Sequence, residues 1–232
     1  MIAGVDDVIF RLSDLINKNL VLLFSVFSFI ALTFSVLMTL YLTSNLIKEE
    51  IVRTTEEANH TLTKVLVNEV YPDVREHLLL EEGGQRSISL LEDKVSLQRV
   101  DASFRNFMAD TDALKIKVYN SHGVVVYSTS HNQIGDANSQ ELGYLAALEG
   151  RLYSEYTFRE VFSSVDGDVF ERDLVSSYVP IKVKGGQIVG VAEVYTDRSS
   201  SMLRYKAVYS KLVIILPIIS FVAVSYTHLT LP

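Results

Sequence analysis

Residues 114–129, LKIKVYNSHGVVVYST, decide the fold class of this chain. In the first half of this stretch, apolar residues alternate with charged or aromatic ones: Leu114, Ile116 and Val118 with Lys115, Lys117 and Tyr119. A period of two is typical of a β-strand whose two faces meet different surroundings. The NSHG segment has the composition of a turn, and a second run of strand-forming residues follows it. The stretch therefore predicts a β-hairpin.

Three longer strands are predicted further along the chain. Residues 139–148 favour a short helix closed by Gly150, and strand patterns follow at 151–162, 169–183 and 187–197. The segments VDGD and KGG separate these strands and are strong turn signals. Asp166 and Asp168 also suggest a Ca²⁺ site, but Asp-Gly is a common hairpin signal, so the hairpin is preferred.

Two helices are predicted before the first strand. From Leu46 onward, apolar residues recur at the spacing of one helical stripe: Ile47, Ile51, Ala58, Leu62, Val65 and Val70. Pro72 and the Gly83–Gly84 turn are expected to end or kink this helix. A second helix is expected after a Ser87 cap, with an apolar face of Leu90, Leu91, Val95, Leu97, Val100, Phe104 and Phe107. The predicted class is α+β, with long N-terminal helices packed on a five-stranded antiparallel sheet.

The chain also contains membrane-like segments. Residues 20–43 carry no charge and are long enough for a transmembrane helix, and a cleaved signal peptide is the weaker alternative because its apolar core is shorter. Residues 1–19 are then cytoplasmic. Residues 212–223 begin a second span, and residues 224–232, VSYTHLTLP, resemble the translation of a transposase adapter used in sequencing libraries. The natural chain is thus expected to continue through a complete second span, with a genuine polar tail as the alternative.

The enclosed segment, residues 44–211, is acidic. It holds 19 Lys and Arg against 25 Asp and Glu, whereas nucleic acids and anionic lipids favour dense basic patches. The charges beside the first span do not favour an external position for this segment. The 232-residue chain has no cysteine, which fits an oxidising compartment but is common elsewhere.

Several stretches carry a resemblance to a known group of proteins. Residues 114–129, HNQIGDANSQELGYLAALEG (131–150), RDLVSSYVPI (172–181) and IVGVAEVYTD (188–197) look like the extracytoplasmic PAS-like (Cache, or PDC) sensor domain of bacterial membrane receptors. Residues 58–74, ANHTLTKVLVNEVYPDV, are similar to the membrane-proximal helix of that group. The resemblance implies a periplasmic sensor in the bacterial inner membrane, of the type that ends in a diguanylate cyclase or histidine kinase.

No catalytic motif is present in the sequence. It lacks a GxSxG elbow, a GxxxxGK[ST] loop, an HExxH pair and any cysteine nucleophile. No two of the five histidines have the spacing of metal ligands, and His122 lies in a predicted turn. No cofactor or metal is expected, and any enzymatic activity is expected from a module beyond this fragment. Asn59 begins an Asn-x-Thr pattern that matters only in a pathway that glycosylates.

Alternation along the strands gives the site hypothesis. One face of the last strands is aliphatic and suits packing on the long helix, while the other mixes aromatic, hydroxyl and charged groups. Roofed by the loop at residues 132–138, the mixed face is a candidate pocket lined by Tyr127, Arg172, Ser176, Tyr178 and Tyr195. The guanidinium of Arg172 suits a carboxylate ligand. The competing interpretation is a half-solvated sheet whose polar residues face water.

The leading functional hypothesis is the ligand-sensing input portion of a transmembrane signalling receptor. Its partners are then a small molecule, the membrane and a second copy of the chain, which is expected to dimerise through the stalk and spans. The alternative is an envelope assembly protein such as a polysaccharide chain-length regulator. Such proteins also place an α+β domain between two spans, often with a proline such as Pro217 in the second.

Overall fold

The fold is described from a computed structural model, which covers the backbone of residues 3–78, 94–183 and 185–230 and the side chains of residues 19–66, 97–183 and 185–227. In chain order the elements are α1 (Ala3–Leu78), α2 (Lys94–Ala109), β1 (Ala113–Asn120), β2 (Val125–Ser128), a 3-10 turn (His131–Gln133), α3 (Leu142–Leu148), β3 (Tyr153–Ser164), β4 (Gly167–Lys182), β5 (Ile188–Asp197) and α4 (Ser199–Thr230). The predicted α+β class is confirmed. All five predicted strands and the short helix before the last three are present.

The five strands form one antiparallel sheet in the order β2-β1-β5-β4-β3. β5, the last strand in sequence, is thus at the centre between β1 and β4. The β1–β2 turn is built on Asn120, whose side-chain Oδ1 accepts hydrogen bonds from the amides of His122 and Val124 at 3.0 Å. Gly123 follows at φ 81°, a conformation that favours glycine.

The β3–β4 hairpin is longer than its neighbours and bends. β4 pairs with β5 only from Leu174 onward, and before that point Glu171 has a φ of 51°, which is strained for a residue with a side chain. Beyond the bend, the tip of the hairpin returns to β1, where the Val165 amide donates to the Leu114 carbonyl at 2.9 Å. The Asp-Gly segment at Gly167 forms the predicted hairpin turn.

The chain divides into two compact units, one of residues 48–202 and one of residues 1–47 with 203–232. The second unit holds most of two segments, Asn19–Leu66 and Ser199–Thr227, that are long and apolar enough to cross a membrane. None of the most apolar stretch of the first segment is buried, and only 6% of that of the second. Exposure of such apolar helices fits the prediction of two flanking transmembrane helices. Within this unit the rings of Phe29 and Phe221 meet edge-on at 5.8 Å.

Helix α1 differs from the sequence prediction in two ways. It passes Pro72 and ends at Leu78, so of the two predicted effects of Pro72, an end or a kink, the helix does not end there. Its buried side chains in the sheet-containing unit are Thr55, Asn59, Thr63 and Leu66, whereas Ala58 and Val65 of the predicted stripe are exposed. The buried face is polar because sheet hydroxyl groups lie opposite it.

Helix α2 supplies three of the four buried helical residues in the main apolar core of the described part of the chain. Val100, Phe104 and Met108 are buried and pack with Leu66 of α1 against one face of the sheet. The Phe104 ring stacks on Tyr127 with the ring centroids 4.3 Å apart. The predicted cap Ser87, the residues Leu90 and Leu91, and the Gly83–Gly84 turn lie outside the described residues, as does the side chain of Val95.

Candidate ligand-binding site

The two faces of the sheet have different chemistry. We call the side that packs on α1 and α2 the α1 face; it carries Ile116, Val118, Tyr127, Ala192 and Val194. We call the side covered by α3 the α3 face; it carries Lys115, Lys117, Tyr119, Ser176, Tyr178, Val191, Glu193 and Tyr195. Adjacent strands bring Lys117, Glu193 and Tyr178 into one cross-strand row.

The structure brings three of the five predicted site residues together. Ser176, Tyr178 and Tyr195 lie on the α3 face, and Ser176 is directly opposite Tyr195. Arg172 lies beyond the last β4–β5 pair and forms an ion pair with Asp197, with Nη1 3.3 Å from Oδ2.

Tyr127 does not join the other predicted site residues. It lies on the α1 face, where its hydroxyl donates to Asp101 at 2.8 Å. The reason is register: Tyr127 pairs with Val118, whose side chain points to the α1 core.

Glu193 is the centre of the α3 face. Its side chain is fully buried on the central strand, and its Oε2 accepts a 2.6 Å hydrogen bond from the Tyr119 hydroxyl. The Lys117 ammonium lies 3.5 Å from the same oxygen. Among the described residues, no hydrogen-bond donor reaches its other oxygen, Oε1. A buried oxygen without a partner costs about 1–3 kcal/mol, so this atom is a natural contact for a donor on a ligand.

Two lysines lie on the same face. Lys115 is 5% exposed, and its ammonium is 4.3 Å from the centroid of the Phe162 ring and 5.8 Å from that of Tyr195. Burial and, secondly, the positive charge of Lys117 lower the pKa of Lys115 to about 8. Lys117 lies 5.6 Å from the Tyr195 ring. The cluster therefore combines one buried carboxylate with two lysine side chains, and the pKa of one of them, Lys115, is lowered.

The tyrosines around Glu193 are held as neutral phenols. Burial raises the pKa of Tyr119, Tyr178 and Tyr195 well above the ordinary value, and the negative charge of Glu193 adds to the rise in each case. Neutral phenols can donate hydrogen bonds as well as accept them. The Tyr119 proton is already donated to Glu193 and the Tyr178 proton to Glu141, so these two hydroxyls offer lone pairs rather than protons to a small polar molecule.

Helix α3 covers this face, in place of the loop that the sequence suggested. The Tyr178 hydroxyl donates to Glu141 at the start of α3 at 2.6 Å, and the Tyr144 hydroxyl donates to the Asn120 carbonyl at 3.1 Å. A Cβ on Gly143 would lie 2.1 Å from the Tyr178 ring, so the close approach requires glycine. Residues 132–138 instead lie beside β2, where Val124 bridges Ala137.

Sequence reasoning placed Glu193 on the mixed face but did not select it as a site residue. A usable signal was present, because Glu193 lies between Ala192 and Val194 and is the single charged residue of the segment 188–196. Charged groups are rarely buried without a partner or a role. Lys115 and Lys117 gave the same signal on β1.

A polar contact on the α1 face joins the sheet to α1. The Asn59 side-chain amide donates to Ser177 Oγ at 3.0 Å and to Thr196 Oγ1 at 2.9 Å, and all three residues are buried. Arg198, just after β5, donates to Thr55 Oγ1 at 2.8 Å and to Asp112 at 2.8 Å. Burial of Asn59 also leaves its amide out of reach for glycosylation in the folded chain.

No cation site accompanies these contacts. Across the described parts of the chain, no three His, Cys, Asp or Glu side chains come close enough to hold a metal ion. His131 Nε2 contacts Asp101 at 2.8 Å, and both groups belong to the α1 face through the Tyr127 hydrogen bond.

Comparison with known proteins finds similar structures but no family. No protein-family model matches the chain, and no curated protein matches it. Solved structures that match include the sensor domain of the Vibrio cholerae histidine kinase DctB (14% identity, TM-score 0.35), covering 67% of this chain and 57% of that one. The sensory domain of the Campylobacter jejuni chemoreceptor Tlp3 with isoleucine bound matches at 14% identity and TM-score 0.37, covering 76% of this chain and 65% of that one.

A third match is the ligand-binding domain of the Pseudomonas aeruginosa amino acid chemoreceptor PctC in complex with GABA. It has 16% identity and a TM-score of 0.33, and covers 68% of this chain and 63% of that one. This chain thus spans about three fifths of the length of the solved chains it matches. All three are sensor or ligand-binding domains of bacterial receptors, the group that the sequence resembles.

Proposed function

We propose that this chain is the ligand-sensing input region of a bacterial transmembrane receptor. In this proposal residues 20–43 and the segment from 212 onward cross the inner membrane, residues 44–211 are periplasmic, and a cyclase, phosphodiesterase or histidine kinase module follows on the cytoplasmic side. The observation that carries the proposal is the double role of β5. This strand bears Glu193 on one face and, on the other, Thr196, which is hydrogen-bonded to α1.

The α3 face favours a small ligand with both a donor and an acidic group. The free Oε1 of Glu193 calls for an N–H or O–H donor. Lys115 and Lys117 bring two ammonium groups to this face, and in this proposal they pair with an acidic group on the ligand. A ligand with both features can contact Glu193 and the lysines at the same time. A simple cation or a simple anion can contact only one of them favourably.

In this proposal the signal passes from the sheet to the helices through the hydrogen bonds that join them. Asn59 ties α1 to β4 and β5, and Ser199, the first residue of α4, accepts a hydrogen bond from the Asp173 amide of β4 at 2.9 Å. A ligand that shifts β5 against β4 therefore acts on both helices that continue toward the spans. A signal requires the ligand to bind two arrangements of these helices with unequal affinity. Pairing of α1 with a second copy of the chain is part of the same proposal.

Binding is tested by thermal-shift screening of the full chain in detergent against organic acids, amino acids and hydroxy acids. A ligand of the α3 face raises the midpoint of unfolding, and we expect Glu193→Gln to remove at least half of that shift. The matched control is Glu160→Gln, which removes a carboxylate from an exposed position on the same sheet. Equal ligand shifts in both variants would place the binding site elsewhere.

Topology and output are tested separately. The chain has no native cysteine, so a single cysteine at the exposed Asp166 is labelled by a membrane-impermeant maleimide in intact spheroplasts if the domain is periplasmic. Sequencing the gene past codon 223 identifies the module that follows the second span. A stop codon directly after that span would favour the envelope assembly protein instead.

A further inference from the structure

A groove on the other side of the sheet has the chemistry of an anion site. It has a volume of about 320 Å³ and is lined by His60, Thr63 and Lys64 of α1 and by residues 179–182 of β4. The groove lies between α1 and β4, so it is separate from the Glu193 cluster on the α3 face. Nothing in the proposed sensing role uses these residues.

The charge of the groove is positive. Lys64 and Lys182 contribute two ammonium groups, and among the described residues that line it none is acidic. Burial lowers the pKa of His60, and the positive charges of Lys64 and Lys182 lower it further, while Glu56 acts weakly in the opposite sense. The two ammonium groups therefore lie close enough to the imidazole to disfavour a third positive charge. An anion between them would be attracted by all three groups.

Thr63 supplies an independent sign of a ligand. Its side chain is 2% exposed and lines the groove, and among the described residues its hydroxyl has no hydrogen-bond partner. A buried hydroxyl is normally paired, and Thr63 is one of the residues that line the groove. An oxyanion in the groove would accept the hydroxyl proton and two charge-assisted hydrogen bonds from the lysines.

We propose that this groove binds the carboxylate or phosphate group of a small organic anion, which links α1 to β4. The remaining lining residues, Val179, Pro180 and Ile181, offer apolar contact for a short carbon chain. Such a ligand acts on the same pair of elements that Asn59 joins, at positions one to five residues further along α1. Occupancy would therefore strengthen the docking of α1 on the sheet, whatever occupies the α3 face.

Binding is tested on the full chain in phosphatidylcholine nanodiscs, titrated with inorganic phosphate or with butyrate at constant ionic strength. We expect saturable binding by calorimetry, weakened about tenfold by Lys64→Gln and by Lys182→Gln, since each loses one charge-assisted hydrogen bond. Lys48→Gln, an exposed change of the same charge on the same helix, is the matched control and keeps wild-type affinity. Absence of saturable binding for both probes, or equal weakening by Lys48→Gln, overturns the proposal.

A second variant separates binding from folding. Thr63→Val removes the unpaired hydroxyl with little change of volume. We expect the free energy of unfolding without anion to stay the same or rise, and the affinity for phosphate to fall about fivefold. In the wild type, the bound anion raises the pKa of His60, followed by NMR of the imidazole. An unchanged His60 titration at saturating phosphate contradicts the site. Replacing part of the lipid with phosphatidylglycerol lowers the apparent phosphate affinity only if a lipid headgroup competes for the groove.

Discussion

The two faces of the sheet satisfy their buried polar groups in opposite ways. On the α1 face, Asn59, Ser177 and Thr196 are neutral and hydrogen-bonded to one another among apolar side chains. On the α3 face, Glu193 and Lys117 are charged, and one carboxylate oxygen has no partner among the described residues. Neutral, hydrogen-bonded groups fix how two elements dock at little cost in stability. A buried charge with an unpaired oxygen lowers the stability, and a ligand that pairs with the oxygen can restore it.

The difference separates the main core from the proposed ligand site. The α1 face buries residues from α1, α2 and four strands in a single cluster. The α3 face rests under a helix of seven residues. Four of these seven residues are buried, and with this helix in place Glu193 is fully shielded from solvent.

Breaking the α1 face should have the largest effect. Phe104→Ala removes a fully buried ring that stacks on Tyr127, and we expect a loss of about 3–5 kcal/mol in the free energy of unfolding. Urea unfolding in detergent can be followed by near-UV circular dichroism of the tyrosines, because the chain has no tryptophan. Phe170→Ala, at a position 63% exposed, should change stability by less than about 0.5 kcal/mol. Similar losses at the two positions would mean that the α1 face is not the main core.

The polar contact on the same face should have the next largest effect. Asn59→Ala leaves Ser177 and Thr196 without their shared partner, and we expect a loss of about 2–3 kcal/mol in the same unfolding assay. Thr61→Ala changes an exposed residue two positions away on α1 and serves as the control. If Asn59→Ala costs no more than the control, the contact does not hold α1 on the sheet.

The sequence predicted the strands well because alternation is local. Lys115 and Lys117 alternate with apolar neighbours, and the turns at Gly123 and Gly167 carry their own residue signals. The predicted buried face of α1 was wrong. Thr55 and Asn59 are buried because their partners lie far away in the chain, and the periodicity of the helix does not reveal such partners. The prediction that Tyr127 lines the site was wrong for a similar reason, because the face on which it lies depends on the register between β2 and β1.

The α3 face can be tested through pH, with an effect of intermediate size. The pKa of Lys115 is lowered to about 8 from 10.5, so between these values the unfolded chain holds more protons than the folded chain. The contribution of Lys115 to the free energy of unfolding is therefore lowest below pH 8. It rises with pH between the two pKa values, by about 1 kcal/mol from pH 8 to 9.5. Above pH 10 the trend reverses, because the raised pKa values of Tyr119, Tyr178 and Tyr195 keep protons on the folded chain only.

The variant Lys115→Met isolates this contribution. The rise between pH 8 and 9.5 should disappear in the variant, while the fall above pH 10 remains. Urea midpoints measured at half-unit steps of pH compare the two chains directly. A wild-type rise that persists in Lys115→Met would assign the effect to another group.

The smallest effect is expected at the edge of the α3 face. Arg172 and Asp197 form an ion pair at 3.3 Å, with 39% and 22% of the side chains exposed, and such pairs contribute little because water screens them. A double-mutant cycle with Arg172→Gln and Asp197→Asn should give a coupling energy of about 0.5 kcal/mol, lower still in high salt. The buried pair of Lys117 and Glu193 provides the contrast, since its coupling should exceed that of the edge pair and respond less to salt. Equal couplings with equal salt dependence would show that the Glu193 cluster is as solvated as the edge, and that it is not the buried, under-satisfied site on which ligand binding depends.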